Sequence, residues 1–302
     1  MYDVIIVGGS YAGLAAALQL ARARRSVLIL DAGQRRNRFA AHAHGFLGQD
    51  GQAGAAIAAK GRSEVLAYPT VTWQEARVTG VRALPGGGFA LATGSGERES
   101  QRLVLATGVA DELPAIPGLA ERWGKTAFFC PYCDGYELGM PALAVLATGP
   151  GSLHQAAIVA EWAAQGQTTL LVNGAFEPEP DALADLARRG IQVERASVAS
   201  VAGEVPEIEV RLGDGRSPTF GGLFLMPRTH FRDSFAEALG CELAMGHLGP
   251  FLKTDETMET TVPGVFACGD IARSLPGVAY AVGDGTRTGA AVHQSLVFRP
   301  LP

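Results

Sequence analysis

The chain opens on a strand that has to be buried, followed at once by a turn that has to be tight. Tyr2 to Val7 is a short apolar run with β-branched residues, Gly8-Gly9-Ser10-Tyr11-Ala12-Gly13 follows, and Leu14 to Ala23 is rich in Ala and Leu. Strand, glycine turn and helix in that order open a dinucleotide-binding βαβ unit. Ser26 to Leu30 supplies the next strand and ends at Asp31, about where an acidic residue takes the hydroxyls of an adenosine ribose. The plan then restarts. Ala142 to Ala147 is a second apolar strand, Thr148-Gly149-Pro150-Gly151 a second turn, and Ser152 to Ala164 a helix. Strand Thr168 to Val172, helix Asp181 to Arg189, strand Ile191 to Glu194 and a hairpin-like stretch through Leu212 complete that unit.

Between the two openings, residues 71–106 alternate polar and apolar side chains around two glycine clusters, the pattern of an antiparallel meander returning to the buried strand Leu103-Val104-Leu105-Ala106. The Pro-rich passage 113–118 reads as a linker. The chain is expected to return to its first unit near Gly246 to Gly249, pass through Val265-Phe266-Ala267-Cys268-Gly269-Asp270 and end in a helix over 278–296. The expected fold is α/β: two Rossmann-like three-layer domains, residues 1–113 with 247–302 and the inserted 114–246, each with a parallel sheet flanked by helices.

At 302 residues there is room for two such units, and 47% hydrophobic against 18% charged residues describes a well-buried soluble chain. A net charge of −5 argues against nucleic acid as a partner. The first strand begins directly after Met1 with no basic leader, and no apolar run reaches spanning length, so neither a membrane nor secretion is expected and the cytoplasm is. Four cysteines are too few for a disulfide scaffold, and Cys241 and Cys268 stand alone as small core residues.

The other two form Cys130-Pro131-Tyr132-Cys133-Asp134. A CxxC places two sulfurs within disulfide reach, and its first thiolate often has a lowered pKa, so the pair is nucleophilic and reversibly oxidisable. Zinc ligation is the simplest competing reading, but zinc takes four ligands, and no second CxxC or His pair lies nearby; no metal is expected. Inert buried thiols are the other.

Taken in order, Gly8 to Gly13, Ala106-Thr107-Gly108, the dithiol inside the insert, and Gly264 to Asp270 resemble the low-molecular-weight thioredoxin reductases over essentially the whole chain. Cys-Pro-Tyr-Cys and the tail Ala281-Val282-Gly283-Asp284-Gly285 are similar to a branch that includes dithiol oxidases of disulfide natural-product pathways. The resemblance implies FAD as cofactor. Gly8, Ser10, Tyr11, Ala12 and Gly13 would cradle its pyrophosphate, with Ser10 standing where a second glycine is usual. Asp31, followed by Ala32 and Gly33, would take the ribose, and Val78 would offer backbone contacts to adenine. The Arg35 to Asn37 segment would run beneath the flavin; Arg38 and His44, just after it, would also meet the cofactor, and His42 or His44 could move protons there. Thr107 and Gly108 would lie along the cofactor, and Gly269 and Asp270 would hold its ribityl or phosphate portion. Val278 and Ala279, in place of the usual Arg-Gln-Ala, would begin the helix aimed at the flavin.

For the dithiol, the resemblance assigns Cys133 to the flavin, Cys130 to the external substrate and Asp134 to proton transfer; the related oxidases often carry His there. It also implies a homodimer, and a thioredoxin-like protein or a small dithiol or disulfide as partner. The nicotinamide site departs from the pattern. Thr148-Gly149-Pro150-Gly151-Ser152 keeps one glycine of the GxGxxA turn, and Asn173 to Pro180 carries two acids and no cation to grip a 2′-phosphate. The expected function is therefore an FAD-dependent disulfide/dithiol oxidoreductase whose use of NADPH or NADH is doubtful. A nicotinamide-independent dithiol oxidase using O2 and a non-catalytic flavin-binding module are the alternatives.

Overall fold

A computed structural model describes residues 1–299. In the first unit, β1 (Tyr2–Val7), β2 (Val27–Asp31), β3 (Val71–Glu75), the end of β6 (Gly96–Leu105) and β19 (Val265–Ala267) form a parallel sheet in the order β3-β2-β1-β6-β19. The start of β6 instead pairs antiparallel with β5 (Phe89–Thr93), which pairs with β4 (Val78–Ala83). Val71 to Glu75 thus belongs to the parallel sheet, not to the expected meander; alternating burial is common to both kinds of strand.

The period of two along β1 splits its side chains between two cores. Val4 and Ile6 face α1 (Tyr11–Arg22), α2 (Gly54–Leu66) and α8 (Val278–Phe298) through Leu14, Leu20, Val65, Val292 and Leu296. Ile5 and Val7 face Val78, Phe89 and Leu91 of the meander together with Phe235 and Leu252. A parallel sheet buried on both faces needs continuous apolar strands, which is what Val4-Ile5-Ile6-Val7 and Val27-Leu28-Ile29-Leu30 provide.

The second sheet is wholly parallel: β11 (Ile191–Glu194), β10 (Thr168–Leu171), β9 (Leu143–Leu146), β15 (Gly222–Leu225) and β8 (Ala127–Phe128), in that order. Leu143, Val145 and Phe224 pack on α5 (Ser152–Val159) and α6 (Pro180–Arg188). Ala144, Leu146 and Leu223 pack on α3 (Leu119–Arg122) and a small antiparallel sheet of β12 (Val198–Ala202), β13 (Ile208–Leu212) and β14 (Thr219–Phe220). The expected pair of Rossmann-like units is present, with one correction: helices cover one face of each sheet and antiparallel strands much of the other.

The chain passes between the sheets along β7 (Ala110–Glu112) and β16 (Arg228–His230), which pair antiparallel as a two-stranded ribbon. The re-entry therefore precedes the expected boundary at 246/247. Phe235 and Ala236 of α7 (Phe235–Leu239), with Cys241, already lie in the first core. Gly246 to Gly249 turns between β17 (Leu243–Met245) and β18 (Pro250–Leu252), closed by Gly246 N–H on the Gly249 carbonyl. Glycine density marks a turn equally well inside a unit and between two. Among the described residues no helix is long and apolar enough to cross a membrane.

Candidate active site

Sterics dictate the first turn. Gly8 has φ +105°, and a Cβ there would lie 2.3 Å from the Ala106 carbonyl oxygen; a Cβ on Gly13 would lie 1.9 Å from the Gly8 oxygen. Ser10 precedes α1 in extended conformation and its side chain makes no cap bond, and the first turn of α1 has no acidic side chain. The free N–H groups at that helix start are left to an external anion. The Asp31 carboxylate accepts Gly9 N–H at 3.0 Å and Gly33 N–H at 3.2 Å. Beside it opens a cavity of about 490 Å³, lined among others by Gly9, Asp31, Ala32, Gly33, Trp73 and Arg77. A volume in the range of small-molecule sites, a cradle that a single Cβ would fill, and unpaired donors at a helix start suit the adenosine and phosphate portions of FAD.

The expected flavin residues divide. Tyr11 is buried, and its hydroxyl donates to the Gly54 carbonyl at 3.0 Å and accepts from Asn37 Nδ2 at 3.0 Å, so its side chain braces the 36–54 segment. Thr107 Oγ1 is enclosed with the Asp233 carboxyl facing it but with no well-formed hydrogen bond, so it has capacity left for another partner. Asp270 receives Arg36 Nη1 at 2.9 Å, and the rest of the same guanidinium grips Asp111 of the connecting ribbon, with Nε 3.1 Å from both carboxylate oxygens. These carboxylates hold the Arg36 pKa up against the burial that lowers it. Arg36 lies in the 35–37 segment expected beneath the flavin, but no role was expected of its side chain. Arg38, expected to meet the cofactor, lies exposed over the Phe39 ring and bonds the Arg35 carbonyl. Val78 has its side chain buried in the meander core, and its neighbours Ala76 and Arg77 line the cavity. Val278 is half-buried against the α1 face of the sheet and Ala279 is exposed at the start of α8. Cys268 is fully enclosed, its thiol pushed up to about 12 by burial, and burial raises Cys241 as well; neither is a reactive thiolate.

Cys130 and Cys133 form a disulfide, half-buried, with Pro131 beginning the short helix α4 (Pro131–Asp134). Cys133 N–H and Asp134 N–H both donate to the Cys130 carbonyl, at 3.1 and 3.3 Å, which fixes the loop. Tyr132 is exposed and meets the edge of Trp162 at 5.0 Å between ring centres. Burial pushes the Asp134 carboxyl up to about 6, with His44 pulling it down and Glu137 pushing it further up. His44 comes from the other unit. Its Nδ1 lies 3.3 Å from Glu137 and 3.7 Å from Asp50, and its ring is 6.3 Å from that of His42. The structure thus sets His44 against the dithiol segment.

The second turn is closed on itself. Thr148 N–H donates to Ser152 Oγ at 3.1 Å, and Ser152 is almost wholly buried. Ser152 N–H, Leu153 N–H and Gln155 N–H go to the carbonyls of Gly149, Pro150 and Gly151. Pro150 has no N–H to offer. Past β10, Glu177 is paired with Arg195, and Arg188 and Arg189 with Asp185, so the nearby cations are already engaged.

A dinucleotide cradle on one parallel sheet and a redox disulfide beside a buried acid on another define a disulfide oxidoreductase. The family model of the pyridine nucleotide-disulphide oxidoreductases matches residues 2–285, and the chain belongs to that family. It is 31% identical over 306 residues to thioredoxin reductase tcpT of Claviceps purpurea, covering 98% of this chain and 94% of that protein. Thioredoxin reductase aclD of Aspergillus oryzae is 30% identical over 313 residues, covering 99% and 97%. The crystal structure of an oxidoreductase from Agrobacterium tumefaciens superposes with a TM-score of 0.94 at 47% identity, covering 99% of each chain. The protein is a thioredoxin-reductase-like, FAD-binding enzyme, and a dithiol or disulfide is its class of partner.

Proposed function

We propose that the chain passes electrons between flavin and the Cys130/Cys133 pair and exchanges them with an external dithiol/disulfide couple, with nicotinamide a poor source of them. The observation carrying this is the half-buried disulfide beside Asp134, a carboxyl held near neutral pH by burial, in the same chain as the first-unit cradle. An external dithiol exchanges with the disulfide: its two sulfurs join, the Cys130–Cys133 bond breaks, and two thiols result. Cys130 meets the external sulfur, Cys133 lies toward the flavin, and Asp134 takes up or gives back a proton as the thiols form and close. A carboxyl that titrates near 6 can do either at neutral pH. Bound FAD supplies the two-electron partner of the dithiol.

The residues proposed to hold FAD are Gly8 to Gly13, Asp31, Thr107, Gly108, Gly269 and Asp270, now with Arg36. The self-satisfied turn at Thr148 to Ser152 and the paired cations beyond β10 support weak NADPH use. The family likeness supports a homodimer, with a thioredoxin-like protein or a small dithiol as partner, and four cysteines with a single redox pair support a reducing, cytoplasmic setting. Anaerobic stopped-flow mixing of the yellow protein with NADPH, NADH or dithiothreitol tests the reading. Flavin bleaching by the dithiol at least tenfold faster than by either nucleotide is expected; rapid bleaching by NADPH would show the second site to be competent.

A further inference from the structure

His44 reaches the dithiol segment from the opposite unit, on a loop with little regular structure. Gly45 N–H donates to Asp50 Oδ1 at 2.8 Å and Ala43 N–H to the Gln52 carbonyl at 2.8 Å, so the loop folds back and holds His44 at its crest. The imidazole is about four-fifths buried, with Nδ1 3.3 Å from Glu137, three residues beyond Asp134. The titratable groups facing this point are Asp50 and His42 from the loop itself, and Asp134 and Glu137 from the dithiol segment. A second contact supports the same approach: Gly124, just before the dithiol strand, packs so closely on Phe39 that a Cβ there would lie 2.8 Å from the Phe39 carbonyl carbon.

We propose that His44 is a positioning residue for the redox step: its contact with Glu137 ties the dithiol segment to the first unit and, together with Glu137, sets the charge that Asp134 carries when the dithiol faces that unit. A protonated His44 favours the Asp134 carboxylate, and Glu137 opposes it. Such a pair lets one unit adjust the acid on the other only while the two are in contact. The assignment rests on the dithiol being the redox centre, and the failure of either is read from a different variant.

Two readouts test it on the flavin-loaded protein. The first is the rate of anaerobic flavin reduction by dithiothreitol between pH 5 and 9. Removing a proton from the dithiol needs the carboxylate, so the rate rises through the Asp134 titration. His44→Gln should move that rise up by about 0.5–1 unit. The rate at pH 6 then falls roughly two- to fivefold while the rate at pH 8 is kept. Glu137→Gln should move the rise down, and the double substitution should bring it back toward the parent. The second readout needs no turnover: infrared titration of the Asp134 carboxyl in the oxidised protein, assigned with Asp134→Asn, should show the same opposed shifts. An unmoved inflection, or a loss of rate uniform across pH, overturns the role of His44. If His44→Gln loses its flavin, Glu137→Gln alone decides the matter, and an unmoved carboxyl titration in it overturns the proposal. Undiminished flavin reduction in Cys130→Ser would instead remove the dithiol reading beneath it.

Discussion

Arg36→Met tests the most connected side chain of the proposed flavin site. The guanidinium bonds Asp111 through Nε and Nη2 and Asp270 through Nη1, and all three side chains are between 10% and 18% exposed. Methionine leaves two carboxylates enclosed together with no counter-charge. Stripping one partner from a fully buried ion pair costs about 3–5 kcal/mol. The residual exposure here lets solvent take up part of that, giving about 2–3 kcal/mol. At about 2 °C per kcal/mol for a chain of this size, apparent Tm should fall by roughly 5 °C. Circular dichroism and flavin fluorescence followed in one heating ramp would check it, with flavin released before the backbone melts because Asp270 loses its anchor first. Asp111→Asn in the Arg36→Met background should recover about half of the loss, since one buried charge is gone. Arg36→Lys should recover less, because an ammonium cannot span both carboxylates. If Arg36→Met melts within 1 °C of the parent, a bound set well below that estimate, and keeps its flavin, the bridge contributes nothing and the argument fails.

Gly13→Ala forces a methyl group to within 1.9 Å of a backbone oxygen, with no flexible side chain to yield; the purified protein should be colourless, with flavin-to-protein absorbance at least tenfold down. Ser152→Gly with Glu177→Arg opens the second turn and offers a cation where one is missing. NADPH-driven flavin reduction at low nucleotide should rise roughly tenfold, the worth of one charge-assisted hydrogen bond; an unchanged rate would mean that the turn is not the obstacle. Asp134→Asn separates stability from activity. The folded carboxyl, near 6, lies above its ordinary 3.8, so folding is penalised once the group ionises: the penalty is absent below about pH 4 and complete above about pH 6. The variant should be more stable than the parent by about 3 kcal/mol at pH 8 and equal to it at pH 4, while dithiol-driven flavin reduction falls by about 100-fold. Urea unfolding at the two pH values checks the first part and stopped flow the second.

What the sequence made legible was local and periodic. Strand β1, the turn after it, the restart at β9 and the ends of β11 follow from apolar runs meeting glycine, and these positions fell within a residue or two of expectation. The errors share a cause. Residues 71–75 alternate as any half-buried strand does, and alternation does not name the neighbour. Phe235 to Leu239 has no local mark saying which sheet it covers. Arg36 finds its carboxylates 75 and 234 residues away, and its neighbour Arg38, equally basic, finds none. Ser152 reads as an ordinary helix start, and only the folded turn shows its hydroxyl spent on Thr148. Side-chain choices settled by long-range contact leave no periodic trace.

Three side-chain contacts that the sequence did not announce, those of Arg36, Phe39 and His44, lie in one stretch, 36–50, in which the described structure has only a short 3-10 turn at Arg36–Phe39 and an isolated bridge from Ala43 to Gln52. Arg36 ties it to Asp270 of the proposed flavin site and to Asp111 on the ribbon between the units; Phe39 packs on Gly124, and His44 meets Glu137 beside the dithiol. A segment held by side chains rather than by a backbone ladder can give up one contact while keeping the others. Substitutions along 36–50 should therefore alter the rate of electron exchange between dithiol and flavin without removing the disulfide or the first-unit cradle. Changes of the same size on the outer face of α6, whose Asp185 pairs only with Arg188 and Arg189 in solvent, should leave that rate alone.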